Sequence, residues 1–258
     1  MKAAVIADNG LEIRDIPKPR PKDNEVLVQV RASALNRADL LMVQGGHGFS
    51  GGAVAGLEWS GEVIETGASV TNCKAGDRVM CSGNGGYAEF AICDSGRVLP
   101  IPANNMSFEQ AATLPIGLIT MHNAVITAGR LAAGETVLVQ GASSGVGLMA
   151  LQIAKEKGAR FVIGTSTNAE RRAKLPEYGA DLALDSSDPG WADAVLEATD
   201  GKGVDLVIDQ VSDSVMNDNL KATRVLGRIV NVGRLGGFSG EFNYDLHAFK
   251  RINYIGVT

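Results

Sequence analysis

From near residue 125 onward the chain alternates short, almost wholly apolar runs with amphipathic stretches of about one helix each, and this alternation limits the fold more than any other feature. Strands are expected at TVLVQG, RFVIGT, LALD, VDLVID, GRIVNVG and INYIGVT, with helices at 146–157, 169–178, 191–199 and 214–224. In the first of these helices Val146, Met149, Ala150, Ile153 and Ala154 share one face, which can cover a sheet. Strands that are apolar on both faces need cover on both. Repeated strand–helix units supply it by wrapping a parallel sheet on two sides. The expected class is therefore α/β, with a doubly wound sheet of dinucleotide-binding type.

Ahead of that point the pattern changes to a period of two. Val26, Val28 and Val30 alternate with other residues in EVLVQVRA, and GEVIETG, GDRVMCSG and GGYAEFAIC follow between glycine turns, which reads as a small, mostly β domain. A chain of 258 residues accommodates two such domains, placed at 1–123 and 124–258. The 24 Lys and Arg are scattered among 29 Asp and Glu, so no basic patch selects nucleic acid as a partner. Asp8 interrupts the start before a signal-peptide core could form, and no run is expected to supply the roughly 18 apolar residues of a membrane span. A soluble cytoplasmic protein with no membrane partner is the expectation. Cys73, Cys81 and Cys93 are odd in number and lack CxxC spacing, which points to reduced, structural thiols.

Residues 141–147, GASSGVG, fall between the first apolar strand and its helix. Ala142, Ser144 and Gly147 stand where a GxGxxG fingerprint has its glycines, a degenerate match that also fits a purely structural turn. Small residues there let the backbone approach a pyrophosphate, which free N–H groups and the positive helix end can meet. After the second strand an NAD-type site would carry Asp or Glu. This chain has Thr165, Ser166, Thr167 and Asn168, followed by Arg171, Arg172 and Lys174. Hydroxyls and cations suit a 2′-phosphate, so NADPH is favoured over NADH, with Arg171 the leading cation; an ordinary solvated helix face is the plainer alternative.

The glycine motif alone also resembles that of short-chain dehydrogenases, which pair a catalytic Tyr with a Lys four residues later. Four residues after Tyr87, Tyr178, Tyr244 and Tyr254 stand Ala91, Leu182, Ala248 and Thr258, so that pair is missing. The segments EVLVQVRASALNRADLLMVQG, AGLEWSGEVIETG, KAGDRVMCSGNGGYAEFAIC, LPIPANNMSFEQAATLPIGLITMHNAV and GETVLVQGASSGVGLMALQIAKEKGA together resemble the medium-chain dehydrogenase/reductase superfamily. ALNRADL and the run from GGYAEF to AATLP look most like its zinc-free quinone oxidoreductase branch. The resemblance implies an N-terminal GroES-like β domain followed by a Rossmann domain. It also implies a cofactor-binding set of Ser143, Ser144, Gly145, Val146, Thr165, Ser166, Asn168, Arg171, Val211 and Gly233.

Zinc alcohol dehydrogenases of that superfamily hold a catalytic ion at the positions that align with Asn36, Leu57 and Ile116. None of these is a competent ligand, so no metal is expected, and Glu58 beside them reads as a brace. Without a Lewis acid the implied chemistry is hydride delivery to an already electrophilic carbon, in a quinone or an α,β-unsaturated carbonyl compound. The resemblance places Asn36 and Thr120 beside the nicotinamide and the acceptor's carbonyl oxygen. His47, in QGGHG where the branch often has Tyr, becomes the candidate proton donor. An enoyl-thioester reductase and a catalytically silent dinucleotide binder are the other readings. Family members continue past INYIGVT, so a truncated chain is expected, with one face of the last strand uncovered; a homodimer joined at that strand is also implied.

Overall fold

The computed structural model describes residues 1–8, 10–44, 51–102 and 105–257. Contacts divide the chain into two units, Met1–Ile116 and Gly117–Thr258, a division earlier than the 123/124 boundary expected from sequence. In the first unit β1 (Lys2–Ala7) and β2 (Gly10–Asp15) form an antiparallel hairpin. A second, five-stranded antiparallel sheet contains β3 (Glu25–Ser33), β4 (Glu58–Thr66), β5 (Arg78–Ser82), β6 (Phe90–Asp94) and β7 (Val98–Pro100), in the order β6-β3-β4-β5-β7. Helix α1 (Arg37–Val43) joins β3 to β4, and α2 (Phe108–Ala112) follows β7. Val26 and Val28 enter a core with Trp59, Val63, Val79 and Val98, as the period of two requires, while Val30 is only half-buried. Leu27 is buried as well, so the alternation describes one face of β3 and not the other. Cys81 and Cys93 are free thiols inside the same core, and Cys73 is a half-buried one against it.

The second unit begins in α3 (Pro115–His122), which runs on into a π-helical turn at Asn123–Ala128. It then alternates β8 (Thr136–Val139), α4 (Gly145–Glu156), β9 (Phe161–Thr165), α5 (Ala169–Arg172), β10 (Leu182–Leu184) and α6 (Trp191–Glu197). β11 (Val204–Asp209), α7 (Met216–Ala222), β12 (Thr223–Asn231), α8 (Tyr244–Lys250) and β13 (Asn253–Gly256) complete it. All six strands are parallel, in the order β10-β9-β8-β11-β12-β13, which is the doubly wound arrangement expected.

Alternate residues of each central strand serve opposite faces. Val137, Val139, Leu206 and Ile208 pack with Ala150, Leu151 and Ala154 of α4. Leu138 and Val207 pack with Trp191 and Val195 of α6 and Leu220 of α7. Leu151, which the expected apolar face of α4 left out, is fully buried, whereas Val146, Met149 and Ile153 are only partly so.

Two further features depart from the sequence reading. The helical run Phe108–Ala128 is, by length and composition, apolar enough to cross a membrane, where no such run was expected. Part of its hydrophobicity is accounted for by packing, since Ala111, Met121, Ala124 and Val125 are core residues while Ile119 is exposed, and Pro115 restarts the helix after a turn at Thr113. Helix α8 was not anticipated. It is capped by Asn243, whose side chain accepts from the Leu246 N–H, and it ends in Lys250. The Lys250 ammonium donates to the carbonyls of Leu220, Lys221 and Thr223 at 3.1, 2.6 and 2.7 Å, satisfying the C-terminal end of α7. Burial there pulls its pKa down. On β13, Tyr254 remains exposed, as do Tyr244 and Phe249 of α8.

A buried polar strap joins β8 to β11. Asp205 accepts the backbone N–H and the hydroxyl of Thr136, both at 2.8 Å, and pairs with Arg224. Burial pushes its pKa up, but the bonds from Thr136 and the Arg224 charge outweigh it and hold the carboxyl below its ordinary value. The depressed pKa means the strap contributes fully above the ordinary carboxylate range and is lost as pH falls through the folded-state value. Asp205→Asn is expected to destabilise this unit by about 1.5–3 kcal/mol at neutral pH, the scale of a bond to a charged group. The deficit should begin to shrink below about pH 4 and close only below the depressed folded-state value, and hydrogen exchange of the β8 and β11 amides would measure it.

Candidate functional site

In the second unit the turn from β8 to α4 is built for close backbone approach. Gly141 has φ of 65°, a left-handed conformation that favours glycine. A Cβ on Gly147 would lie 2.6 Å from the Gly141 carbonyl oxygen, so only glycine fits where helix and turn meet. At Gly145, by contrast, a Cβ would meet nothing within 4 Å, because that side of the turn is open. Ser144 caps α4, its hydroxyl accepting the Gly147 N–H at 3.1 Å. Among the described residues the N–H groups of Ser143, Gly145 and Val146 have no protein acceptor. Free donors at the positive end of a 12-residue helix, facing open space, suit a pyrophosphate.

The turn is braced from below by buried amides. Gln140 accepts the Thr165 hydroxyl at 2.6 Å, donates to Asn219 at 2.8 Å, and its backbone carbonyl accepts from Gln210 at 3.1 Å. The Gln210 side-chain oxygen in turn lies 3.0 Å from the Ser144 hydroxyl. Thr165 is fully buried, and its hydroxyl also accepts the Gly141 N–H at 3.2 Å. It is therefore committed to bracing the turn and has no free donor for a ligand.

Ser166 does reach the turn. Its hydroxyl is 2.8 Å from that of Ser143, and Asn168 beside it caps α5 by accepting the Arg171 N–H. The Arg171 side chain is exposed. Arg172 behaves differently: it donates to the Ser166 carbonyl at 2.7 Å and pairs with Asp185 at 2.9 Å. Sequence reasoning missed this pair. The signal was the strand register, since Leu184 pairs with Thr165 and so brings the following residues, Asp185 and Ser166, side by side.

Val211 and Gly233 follow β11 and β12 at the same end of the sheet. A Cβ on Gly141 would stand 3.6 Å from the Val211 side chain, and one on Gly233 would stand 2.6 Å from the Gln210 carbonyl oxygen. Beneath them the fully buried Asp209 accepts the N–H groups of Val211 and Ser212, both at 2.9 Å, while its other oxygen has no partner among the described residues. Burial raises the Asp209 pKa against the opposing pull of those N–H groups and of the Asn219 and Asn231 amides. Ser143, Ser144, Gly145, Val146, Ser166, Val211 and Gly233 thus gather at one edge of the sheet, outside the carboxyl ends of the strands. A dinucleotide fits the residues present there.

The first unit holds a separate polar cluster. Glu58, only 3% exposed, accepts the Asn36 side-chain amide at 2.9 Å with one oxygen and the Ile116 backbone N–H at 2.8 Å with the other. Its pKa is raised by burial, opposed by those two bonds, with the nearby Asp39 adding to the rise. Asp39 accepts the Asn36 backbone N–H at 2.7 Å and the Tyr87 hydroxyl at 2.8 Å through the same oxygen. Its other oxygen is buried without a partner among the described residues. The Tyr87 pKa is pushed up by burial first and by the Asp39 contact second. Leu57 packs against an apolar cluster of Ile6, Met42 and Ala55. Glu58, read from sequence as a brace, holds Asn36 in particular, and it ties Asn36 to Ile116. Among the described residues no group of His, Cys, Asp or Glu is arranged to hold a metal ion. Thr120 lies half-buried on α3 in the second unit. His47 falls outside the described residues.

Comparison with known proteins fits this two-part organisation. Residues 22–103 match the alcohol dehydrogenase GroES-like domain, and residues 145–258 match the zinc-binding dehydrogenase family. The chain is 31% identical over 229 residues to a highly-reducing polyketide synthase of Aureobasidium melanogenum, covering 88% of this chain and 10% of that protein. A mycobacterial protein solved in complex with NADPH superposes with a TM-score of 0.89 at 28% identity, covering 100% of this chain and 81% of that one. The quinone oxidoreductase of Rattus norvegicus is 32% identical over 248 residues, which is 95% of this chain and 74% of that enzyme. With that extent of similarity, and with both domain types in the same order, the chain belongs to the medium-chain dehydrogenase/reductase superfamily, as an oxidoreductase of its quinone oxidoreductase-like branch.

Proposed function

We propose that the protein is an NADPH-dependent reductase of quinones or other α,β-unsaturated carbonyl compounds, acting without a metal as a soluble, cytoplasmic homodimer. The observation that carries this reading is the edge of the dinucleotide site. Where an acidic residue would hold a ribose hydroxyl, the end of β9 offers the Ser166 hydroxyl and the exposed Arg171, beside the Ser143 hydroxyl of a turn with free N–H donors. Its likeness to a protein complexed with NADPH supports the same cofactor. Bound NADPH would supply the hydride.

The chain's own part is binding and positioning. The β8–α4 turn takes the pyrophosphate, while Ser166, Asn168 and Arg171 take the adenosine end. In the first unit Glu58 holds one hydrogen of the Asn36 amide, which leaves the second free to donate to the acceptor's oxygen as charge develops there. Thr120 orients the nicotinamide amide, and His47 delivers the proton. The alternative substrate, an enoyl thioester, is favoured by the similarity to polyketide synthases.

NADPH consumption measured with a small quinone, a panel of enones and an enoyl thioester separates the readings. Turnover of quinones or enones is expected; turnover of the thioester alone would select the second substrate, and cofactor binding with no turnover of any acceptor would defeat both. The turn itself gives a paired prediction. Gly145→Ala should leave folding within about 0.5 kcal/mol of the parent, because its Cβ meets open space, yet weaken dinucleotide binding by occupying the approach. Gly147→Ala should instead destabilise the fold, since its Cβ runs into backbone. Calorimetric titration together with thermal unfolding checks both. Arg171→Ala should weaken NADPH binding by about fivefold, the scale of an exposed charge pair, and leave NADH unchanged; equal losses for the two in the same titration would remove Arg171 from the 2′-phosphate site.

A further inference from the structure

The two arginines that follow β9 are adjacent in sequence and differently placed in space. Arg172 is turned back onto the strand ends, where one nitrogen, Nη1, donates to the Ser166 carbonyl at 2.7 Å and lies 2.9 Å from Asp185. Asp185 is itself fixed. Its second oxygen accepts the backbone N–H of Ser187 at 2.9 Å and the Ser187 hydroxyl, so the carboxylate cannot swing away without giving up both bonds. The Ser187 bonds, followed in effect by the Arg172 charge, hold the Asp185 carboxyl below its ordinary range, and it remains ionised at neutral pH. The register places this fixed negative charge next to Ser166: Ser166 donates its N–H to the Leu184 carbonyl at 3.0 Å, and Asp185 is the next residue.

We propose that Asp185 is a specificity-determining residue of the dinucleotide site: bound to Arg172 beside Ser166, its carboxylate opposes a 2′-phosphate and holds down the preference for NADPH over NADH. This rests on the NADPH reading given above. An arginine at the end of the second strand would ordinarily lend its charge to the 2′-phosphate. Here most of that charge is already answered by a carboxylate, so a phosphate dianion arriving at Ser166 meets a nearly neutral pair in place of a cation. The Nη2 and Nε groups can still donate to it, but the nearby negative charge works against it. Arg171 is left as the cation whose charge the phosphate can use. A ligand ending in a bare 2′-hydroxyl carries no such charge and is not repelled by Asp185.

The test uses the whole chain and two probes that differ only by the phosphate, adenosine 2′,5′-bisphosphate and adenosine 5′-monophosphate, titrated calorimetrically into the parent, Asp185→Asn and Asp185→Ala. Both variants should bind the bisphosphate about fivefold more tightly, while the monophosphate changes by less than about twofold. The difference should shrink in high salt. Monophosphate binding also reports that each variant is folded. If the parent binds the monophosphate but both variants shift the two probes alike, or neither variant binds the bisphosphate more tightly, the role of Asp185 is overturned and the dinucleotide site stands. If the parent binds neither probe, the dinucleotide reading falls and this proposal falls with it.

Discussion

The N–H groups of Ser143, Gly145 and Val146, which have no protein acceptor among the described residues, are the constraint on which the second unit depends. Unpaired donors are tolerated at a helix start only where solvent or a ligand can reach them, so the turn has to stay open. Within the turn only the Ser144 N–H and hydroxyl, both to the Gly141 carbonyl, and the Gly147 N–H, to the Ser144 hydroxyl, are bonded, so much of its support comes from outside. The fold transfers that task downward, to Gln140, Thr165, Gln210 and Asn219, whose side chains meet beneath the turn. Each of these is fully or almost fully buried. Buried amides of this kind are costly unless satisfied; here Gln140 bonds to Thr165, Gln210 and the Asn219 oxygen, while the Asn219 Nδ2 has no partner among the described residues, and these bonds tie the turn to the ends of β8, β9 and β11. Parallel topology does the rest, since every strand delivers its following loop to the same edge of the sheet.

The first unit solves a related problem with a carboxylate. Glu58 is buried and its pKa is raised, and the two donors that oppose that rise are the Ile116 N–H and the Asn36 amide. The bond to Glu58 also holds the Asn36 side-chain amide in place. Asn36 and Ile116 are two of the residues that the resemblance read from sequence aligns with metal ligands of zinc alcohol dehydrogenases. In this chain a buried carboxylate links them, and Leu57, at the third position, packs into an apolar cluster. Asp39 reinforces the arrangement from the backbone side, through one oxygen shared by the Asn36 N–H and the Tyr87 hydroxyl.

How much of this was legible in the sequence depended on the range of the signal. Periodicity reports which face of an element is apolar, and it located all six parallel strands and the helix opened by GASSGVG. It placed Leu151 outside the buried face because the five-residue stripe is narrower than the surface a central helix covers when it lies over two strands at once. It gave no sign of α8, whose docking rests on one lysine reaching three carbonyls of another helix. The polar partners were the least visible. Glu58 meets Asn36 across 22 residues and Gln140 meets Asn219 across 79, and no local pattern encodes such pairs. Thr165 shows the converse error: a hydroxyl that composition offers to a ligand is already used inside.

The dipeptide Arg171–Arg172 shows why charge counted along a sequence differs from charge available at a site. Successive helical residues are about 100° apart around the axis, so two adjacent arginines on a single turn leave it in different directions and can meet different partners. One of them here reaches solvent, and the other folds back to a carbonyl and a carboxylate. A run that reads as two positive charges therefore delivers close to one. The neutralising carboxylate comes from a different strand, and its position follows from parallel register, not from sequence proximity. Electrostatic preference at such a site is thus set jointly by β9, α5 and β10, and the end of β10 contributes the term that a reading of the fingerprint region alone leaves out.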